Sequence, residues 1–149
     1  MTALDVISLD GAKEYLRVDY DDQDNVITRN IKTAVSLIEE YTNVFLYERE
    51  KQYAVIGYCG IEIFDYPITI TDSSLKKKQN VLSITVFDKI GNSVAATVGY
   101  SDVDDIPANL IDACYKLITY LYENRDSYTA TLPADVQLLV NQFRRNATI

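Results

Sequence analysis

Residues 27–53 read ITRNIKTAVSLIEEYTNVFLYEREKQY, and the periodicity changes inside this stretch. Up to Tyr41 the period is helical. Ile27, Ile31, Ala34, Val35 and Ile38 form one apolar stripe, extended by Tyr41, while Arg29, Asn30, Lys32, Ser36, Glu39 and Glu40 fall on the other side. Thr42-Asn43 ends the pattern, because Asn tolerates the left-handed backbone of a helix C-terminus. Asp22 or a neighbour supplies a cap, and acids at the start suit the helix dipole, so a helix is expected over residues 22–42. From Tyr47 the period falls to two. Tyr47, Arg49, Lys51 and Tyr53 alternate with Glu48, Glu50 and Gln52, and both faces are partly polar, which predicts an edge or exposed strand.

Upstream, Ser8 is a good N-cap, and Leu9, Ala12 and Leu16 share one face of a first helix that Gly11 weakens. A polar turn, Tyr20 to Asp24, follows. Downstream lie short apolar alternations: Val55-Ile56 before Gly57, Ile61 and Ile63 about Glu62, and Pro67 before Ile68-Thr69-Ile70. Leu82 to Phe87 is a strong strand; residues 88–92 read as a turn, with Ser93 to Val98 returning as its partner. Helix resumes at Pro107, where proline suits the first turn. Leu110, Ala113, Cys114, Leu117, Ile118 and Leu121 form a core stripe, and Ile111, Tyr115 and Tyr122 widen the apolar arc. So wide an arc must be buried on two sides. Pro133 opens a last helix with Val136, Leu139, Val140 and Phe143 at helical spacing, and Arg144-Arg145 at its C-terminal end suit the dipole. The fold class is therefore α+β, mainly α-helical, with about four helices. One domain, 1–149, is expected, helical over 1–46 and 104–149, with an antiparallel β insertion over about 47–103 between the second and third main helices.

The composition is that of a soluble globular chain: 149 residues, 48% hydrophobic and 24% charged. No apolar run approaches the roughly 18 residues of a membrane span, and the opening Met-Thr-Ala-Leu-Asp predicts no secretory leader. There is no histidine, which excludes Ser-His-Asp and Cys-His nucleophilic chemistry and imidazole metal sites. Cys59 and Cys114 form no CxxC pair and are expected to be reduced and buried. Fourteen basic against 22 acidic residues give −8, which argues against a DNA-binding protein as such. Twelve tyrosines are the main excess, and tyrosine is enriched at protein interfaces.

No catalytic, cofactor or metal site is expected. A calcium loop starting at Asp19 would place Asp24 where Gly is needed and Asn30 where a bidentate Glu is needed. Asp102, Asp104 and Asp105, like Glu39-Glu40, sit where helix starts and solvated faces place acids anyway. Gly57 and Gly60 belong to no phosphate-binding pattern, and Asn146-Ala147-Thr148 is a sequon without export. Lys76-Lys77-Lys78 is the basic run. It is expected on a loop between strands, either as a solvated tip or as a contact for an acidic partner surface or passing DNA.

Leu16-Arg17-Val18-Asp19, the acidic turn, and a helix ending Ile38-Glu39-Glu40-Tyr41-Thr42-Asn43 resemble the opening of tailed-phage head–tail connector (adaptor) proteins. The close is similar too: Ile106-Pro107 before a helix, Tyr122-Glu123-Asn124-Arg125, Leu132-Pro133, and Phe143-Arg144. Asn43 stands where the family has Gly, and the β segment resembles longer variants in Pro67 and strand order. The resemblance implies a non-enzymatic virion protein at the head–tail interface, passing through the host cytoplasm during assembly. It implies a ring of copies, usually twelve, beneath the portal, extending the DNA channel and docking the next head-completion or tail protein. No membrane partner and no cofactor are implied, and genomic DNA passes without sequence-specific binding. Twelve copies at −8 would sum to about −96, a sign that lets DNA slide. The interface candidates are Tyr115, Tyr122 and Arg125, the portal-reaching Arg144 and Arg145, and Lys76, Lys77 and Lys78. A different reading is a small acidic accessory or regulatory phage protein that binds one partner without forming a ring.

Overall fold

The computed structural model describes residues 1–55, 60–88, 91–125 and 131–145. Its helices are α1 (Ala3–Val6), α2 (Leu9–Leu16), α3 (Asp24–Thr42), α4 (Ala108–Glu123) and α5 (Ala134–Val140). Six strands lie between α3 and α4: β1 (Arg49–Ala54), β2 (Ile61–Ile63), β3 (Ile68–Ile70), β4 (Lys76–Gln79), β5 (Ile84–Phe87) and β6 (Ser93–Val98). The α+β class and the place of the β insertion match the periodicity. Helix α1 is an addition to the expected four; at four residues it is too short to show a period. Both the Thr2 N–H and its hydroxyl donate to the Asp5 carboxylate, at 2.6 and 3.0 Å.

Helix α2 begins as the sequence predicts, with the Gly11 N–H donating to Ser8 Oγ at 3.1 Å. It ends where Arg17 turns left-handed (φ 57°) and the Val18 N–H closes on the Lys13 carbonyl at 3.0 Å. The start of α3 differs from expectation. Asp22 does not cap it; Gln23 occupies the cap position with helical backbone and no side-chain cap. The neighbouring acids are drawn instead to Lys13, whose Nζ meets Asp21 at 2.6 Å and Asp24 at 2.8 Å. At the other end Asn43 takes the left-handed conformation (φ 56°), as its residue type allows.

The helical core gathers Ile27, Ile31, Ala34, Val35 and Ile38 of α3 against Leu110, Ala113, Cys114, Leu117 and Ile118 of α4, closed by Ala12, Val136 and Val140. Cys114 is buried and unpaired, as expected, and burial pushes its thiol pKa up; Cys59 lies outside the described residues. Two residues assigned to the polar side of α3 are buried, Asn30 and Glu39. The reason is helical arithmetic. Ile27, Ile31, Val35 and Glu39 follow one another at i+4, as do Asn30, Ala34, Ile38 and Thr42, so both polar residues continue rows of the apolar stripe. Near α4, Pro107 sits at the cap rather than inside the first turn, and Leu121 is only partly buried. Phe143 falls in a 3₁₀ turn beyond α5, not in the helix.

The β insertion is two three-stranded antiparallel sheets, ordered β1–β6–β3 and β2–β5–β4. Their inner faces share one core of Val55, Ile63, Ile70, Ile84, Val86, Val94 and Ala96. The expected hairpin between β5 and β6 does not form. Each is instead the central strand of its own sheet, which lets both apolar strands bury a face in the common core. Lys89 and Ile90 of the intervening turn lie outside the described residues, as do Ile56, Gly57 and the sequon residues. Lys76–Lys78 form strand β4 rather than a loop tip, paired so that Lys76 faces Phe87, Lys77 faces Val86 and Lys78 faces Thr85. All four β4 residues are exposed, so no apolar alternation marked the strand. The expected strand at Leu82 starts later, at Ile84. Val81 and Leu82 form an exposed turn, closed by the Asn80 N–H donating to the Ser83 carbonyl at 2.9 Å.

Among the described residues no helix is long and apolar enough to cross a membrane.

Gly99 ends β6 at φ 102°, and a Cβ there would lie 2.0 Å from the Tyr47 carbonyl oxygen. Gly91 also has positive φ (88°), but a Cβ there meets nothing within 4 Å. Gly91→Ala is expected to cost about 1 kcal/mol through backbone conformation alone. Gly99→Ala should cost at least about 3 kcal/mol, because the backbone itself must move. Urea unfolding of the two variants checks the difference, and equal costs would contradict it.

Candidate interaction surfaces

The helical and β parts are joined by a buried carboxylate. The Glu39 side chain is 5% exposed; its Oε1 accepts the Leu46 N–H at 2.8 Å and its Oε2 accepts Arg49 Nη2 at 2.6 Å. Burial raises the Glu39 pKa, and the Leu46 and Arg49 donors pull the other way. The Arg49 guanidinium also lies over Phe45 at 4.3 Å and Tyr47 at 4.8 Å. Beside it, Lys51 sits 4.5 Å from the Phe45 ring and 2.5 Å from Asp65, which accepts the Tyr53 hydroxyl as well. Burial, with Asp65 alongside, pushes the Tyr53 pKa well up. Cations held between an aromatic face and a carboxylate thus recur along β1.

The residues singled out from the sequence fall in three places. Tyr115 packs between helices of the same chain. Its ring stacks on Tyr15 of α2 at 5.0 Å, and its hydroxyl stands 2.9 Å from where a Cβ on Gly11 would be. The glycine that weakens α2 is what lets α4 approach it. Tyr122 and Arg125 close the other end of α4: the Arg125 guanidinium lies 4.7 Å over the Tyr122 ring and donates to Gln23 Oε1 at 2.8 Å, and the neighbouring Tyr122 hydroxyl pushes the Tyr20 pKa up. Arg144 and Arg145 lie together at the junction of the two parts. Arg144 is 4.9 Å over Tyr41 and Arg145 is 3.7 Å over Tyr66, while the Arg145 N–H donates to the Thr42 carbonyl at 2.8 Å. Lys76, Lys77 and Lys78 stand apart from both groups, on the outer edge of the second sheet.

Next to Tyr66 an open cleft of about 470 Å³ is walled by Tyr66, Pro67, Thr69, Thr97 and Tyr100, with Glu48 and Asp105 at its rim. Tyr66 and Tyr100 meet edge to face at 6.4 Å. Burial raises the Tyr100 pKa, and Tyr66 and Asp105 add to the shift while Arg145 opposes it. Sequence reading missed this cleft and the Glu39–Arg49 pair. The i+4 row ending in Glu39 was a usable signal; nothing local links Glu48, Tyr66 and Asp105. Among the described residues no group of three or more His, Cys, Asp or Glu is placed to hold a metal. What the surfaces offer is recognition: aromatic faces, charged rims and a free strand edge.

Because the native carboxyl of Glu39 holds its proton to higher pH than an unfolded one, its contribution to stability falls as pH rises from the ordinary carboxylate range through the raised value. Arg49→Ala removes one group that limits this shift. It should cost about 3 kcal/mol at pH 7.5, the low end for breaking a buried pair because Arg49 keeps a third of its side chain in water, and clearly less at pH 5. Adding Glu39→Gln to that variant should flatten the pH dependence. Urea unfolding at both pH values decides it; a pH-independent Arg49→Ala penalty would contradict the assignment.

A family model described as phage gp6-like head-tail connector protein matches residues 6–97. Comparison with curated protein sequences finds no match. Among solved structures, the fold is similar to a chain in the neck of an empty GTA particle computed with C6 symmetry: TM-score 0.77, 16% identity, 97% of this chain and 92% of that one. A chain of the virion of the native gene transfer agent (GTA) particle gives 0.78 and 17%, covering 100% and 94%. One in the neck of the native GTA particle computed with C12 symmetry gives 0.68 and 18%, covering 100% and 95%.

Proposed function

Because the chain belongs to the phage gp6-like head-tail connector family, a family of structural virion proteins, we propose that it builds a ring in the virion neck. In this reading the ring lies beneath the portal, lengthens the DNA channel and presents a landing surface to the next head-completion or tail protein. The observation that carries it is whole-chain similarity: neck and virion chains of GTA particles share the fold over 97–100% of this chain, β insertion included. The charge is compatible. A ring of molecules at −8 each repels the DNA backbone and lets it pass without sticking. The work is assembly, not catalysis.

The placement of the side chains refines the roles. Tyr115, Tyr122 and Arg125 are engaged inside the chain, so they serve the ring by holding α4 against α2 and the start of α3. Arg144 and Arg145 are anchored on Tyr41 and Tyr66, so they and the C-terminal residues serve portal docking from a fixed base.

The test combines this protein with portal-bearing, DNA-filled heads. Rings at the portal vertex, seen by negative stain, are expected with the full chain. Heads that retain DNA and acquire tails in its absence would overturn the proposal. A chain ending at Arg145 keeps the Arg145–Tyr66 contact and should unfold at the same temperature as the full chain, yet bind portal at least about tenfold more weakly. Undiminished binding would refute portal docking through the C-terminal residues.

A further inference from the structure

We propose that the lateral contact of the ring seats the Lys76–Lys78 edge of one copy in the tyrosine-walled cleft of the next. This rests on the ring reading above and names its interface.

The lysine side is a free edge. Strand β4 is outermost in β2–β5–β4, so among the described residues one flank of its backbone has no sheet partner. Among the described residues Lys76, Lys77 and Lys78 form no ion pair, although the chain is strongly acidic. Apolar groups are exposed on the same sheet edge: Phe87, opposite Lys76, is 43% exposed, and Val81, in the turn that follows β4, is 91% exposed. A patch that mixes cations with apolar side chains fits a protein surface better than a phosphate backbone.

The cleft is complementary. Glu48 and Asp105 are exposed at its rim and likewise form no ion pair among the described residues, and Tyr66 and Tyr100 supply aromatic faces. An incoming lysine between Tyr100 and a rim carboxylate would repeat what the chain already does with Lys51, held 4.5 Å from Phe45 and 2.5 Å from Asp65.

The two patches also lie on opposite sides of the β unit. Ile70 and Ala96 point into the shared core, so Thr69 and Thr97, which line the cleft, face outward from the first sheet. Ile84 and Val86 point into that core from the other side, so Thr85 and Phe87, with Lys78 and Lys76 beside them, face outward from the second sheet. A patch and its complement on opposite sides of one molecule make a head-to-tail contact, the kind that joins copies into a ring where the rotation between them closes, rather than pairing two copies.

The test is a charge exchange on portal-bearing heads, read by negative stain. One variant carries Lys76→Glu, Lys77→Glu and Lys78→Glu; the other carries Glu48→Lys and Asp105→Lys. All five positions are exposed, and thermal unfolding confirms that each variant is folded. Each alone should form rings at least about tenfold less well than the natural chain. An equal mixture should restore them, because copies can alternate with opposite charges at every contact. Carbodiimide coupling of natural rings should join Lys76, Lys77 or Lys78 to Glu48 or Asp105 between copies. Full assembly by either variant alone, or no restoration on mixing two folded defective variants, would overturn the contact. So would lysine-variant rings that assemble normally but leak DNA, since the lysines would then face the genome. Failure of the natural chain to form rings would instead overturn the proposed function.

Discussion

The carboxylate of Glu39 is held out of water where the last turn of α3 meets the β insertion. A buried charge in that position is tolerable only if its partners are fixed. It takes one donor from the backbone of Leu46 and one from Arg49, the first residue of β1. Those two contacts determine where the chain leaves the helix and at what angle the first strand begins. The remaining bonds across the junction reinforce the same geometry. The Tyr66 N–H donates to the Asn43 carbonyl at 2.9 Å, the Phe45 N–H to Tyr66 at 2.7 Å, and the Arg145 N–H to Thr42 at 2.8 Å. The helical core and the β core are separate clusters, so this strip of polar contacts, with Val44, Leu46, Tyr47 and Tyr100 packed on the helical core, orients one against the other.

The helices were legible because each buries one stripe, and a stripe repeats locally. Ser8, Asn43 and the α3 and α4 rows needed no knowledge of distant residues. Glu39 and Asn30 were misplaced because residue type was weighed above position; at i+4 from buried neighbours, a polar side chain is carried inside by the helix. The strands were harder. Ile61–Ile63, Ile68–Ile70 and Ser93–Val98 show alternation, but alternation says which face is buried and not which strand lies alongside. The nearest-neighbour assumption failed for β5 and β6 because two sheets enclosing one core bury more than a hairpin does. Strand β4 was invisible because all its side chains are exposed at an edge. The cleft draws on residues from Glu48 to Asp105, a combination that only the folded chain assembles.

The tyrosine excess acquires a physical explanation. Several rings work within the molecule as platforms for cations: Tyr41 under Arg144, Tyr47 under Arg49, Tyr66 under Arg145 and Tyr122 under Arg125. In a chain with more acids than bases, such platforms hold scarce cations at chosen points without consuming a carboxylate each time. Most of the other acids are then left at the surface.

The order β1–β6–β3 has a consequence for how the molecule comes into being. Arg49 lies opposite Val98, and Ile68 lies opposite the same residue on the other flank, so the first sheet has no centre until β6 has been synthesised. No sequence-adjacent pair of strands can seed this first sheet, and the closure of long loops must precede any gain from its pairing. The helix α3, by contrast, is made of near neighbours. During translation a partly made chain would therefore carry a formed helix and an unassembled first sheet, and only release of β6 from the ribosome would complete the β unit.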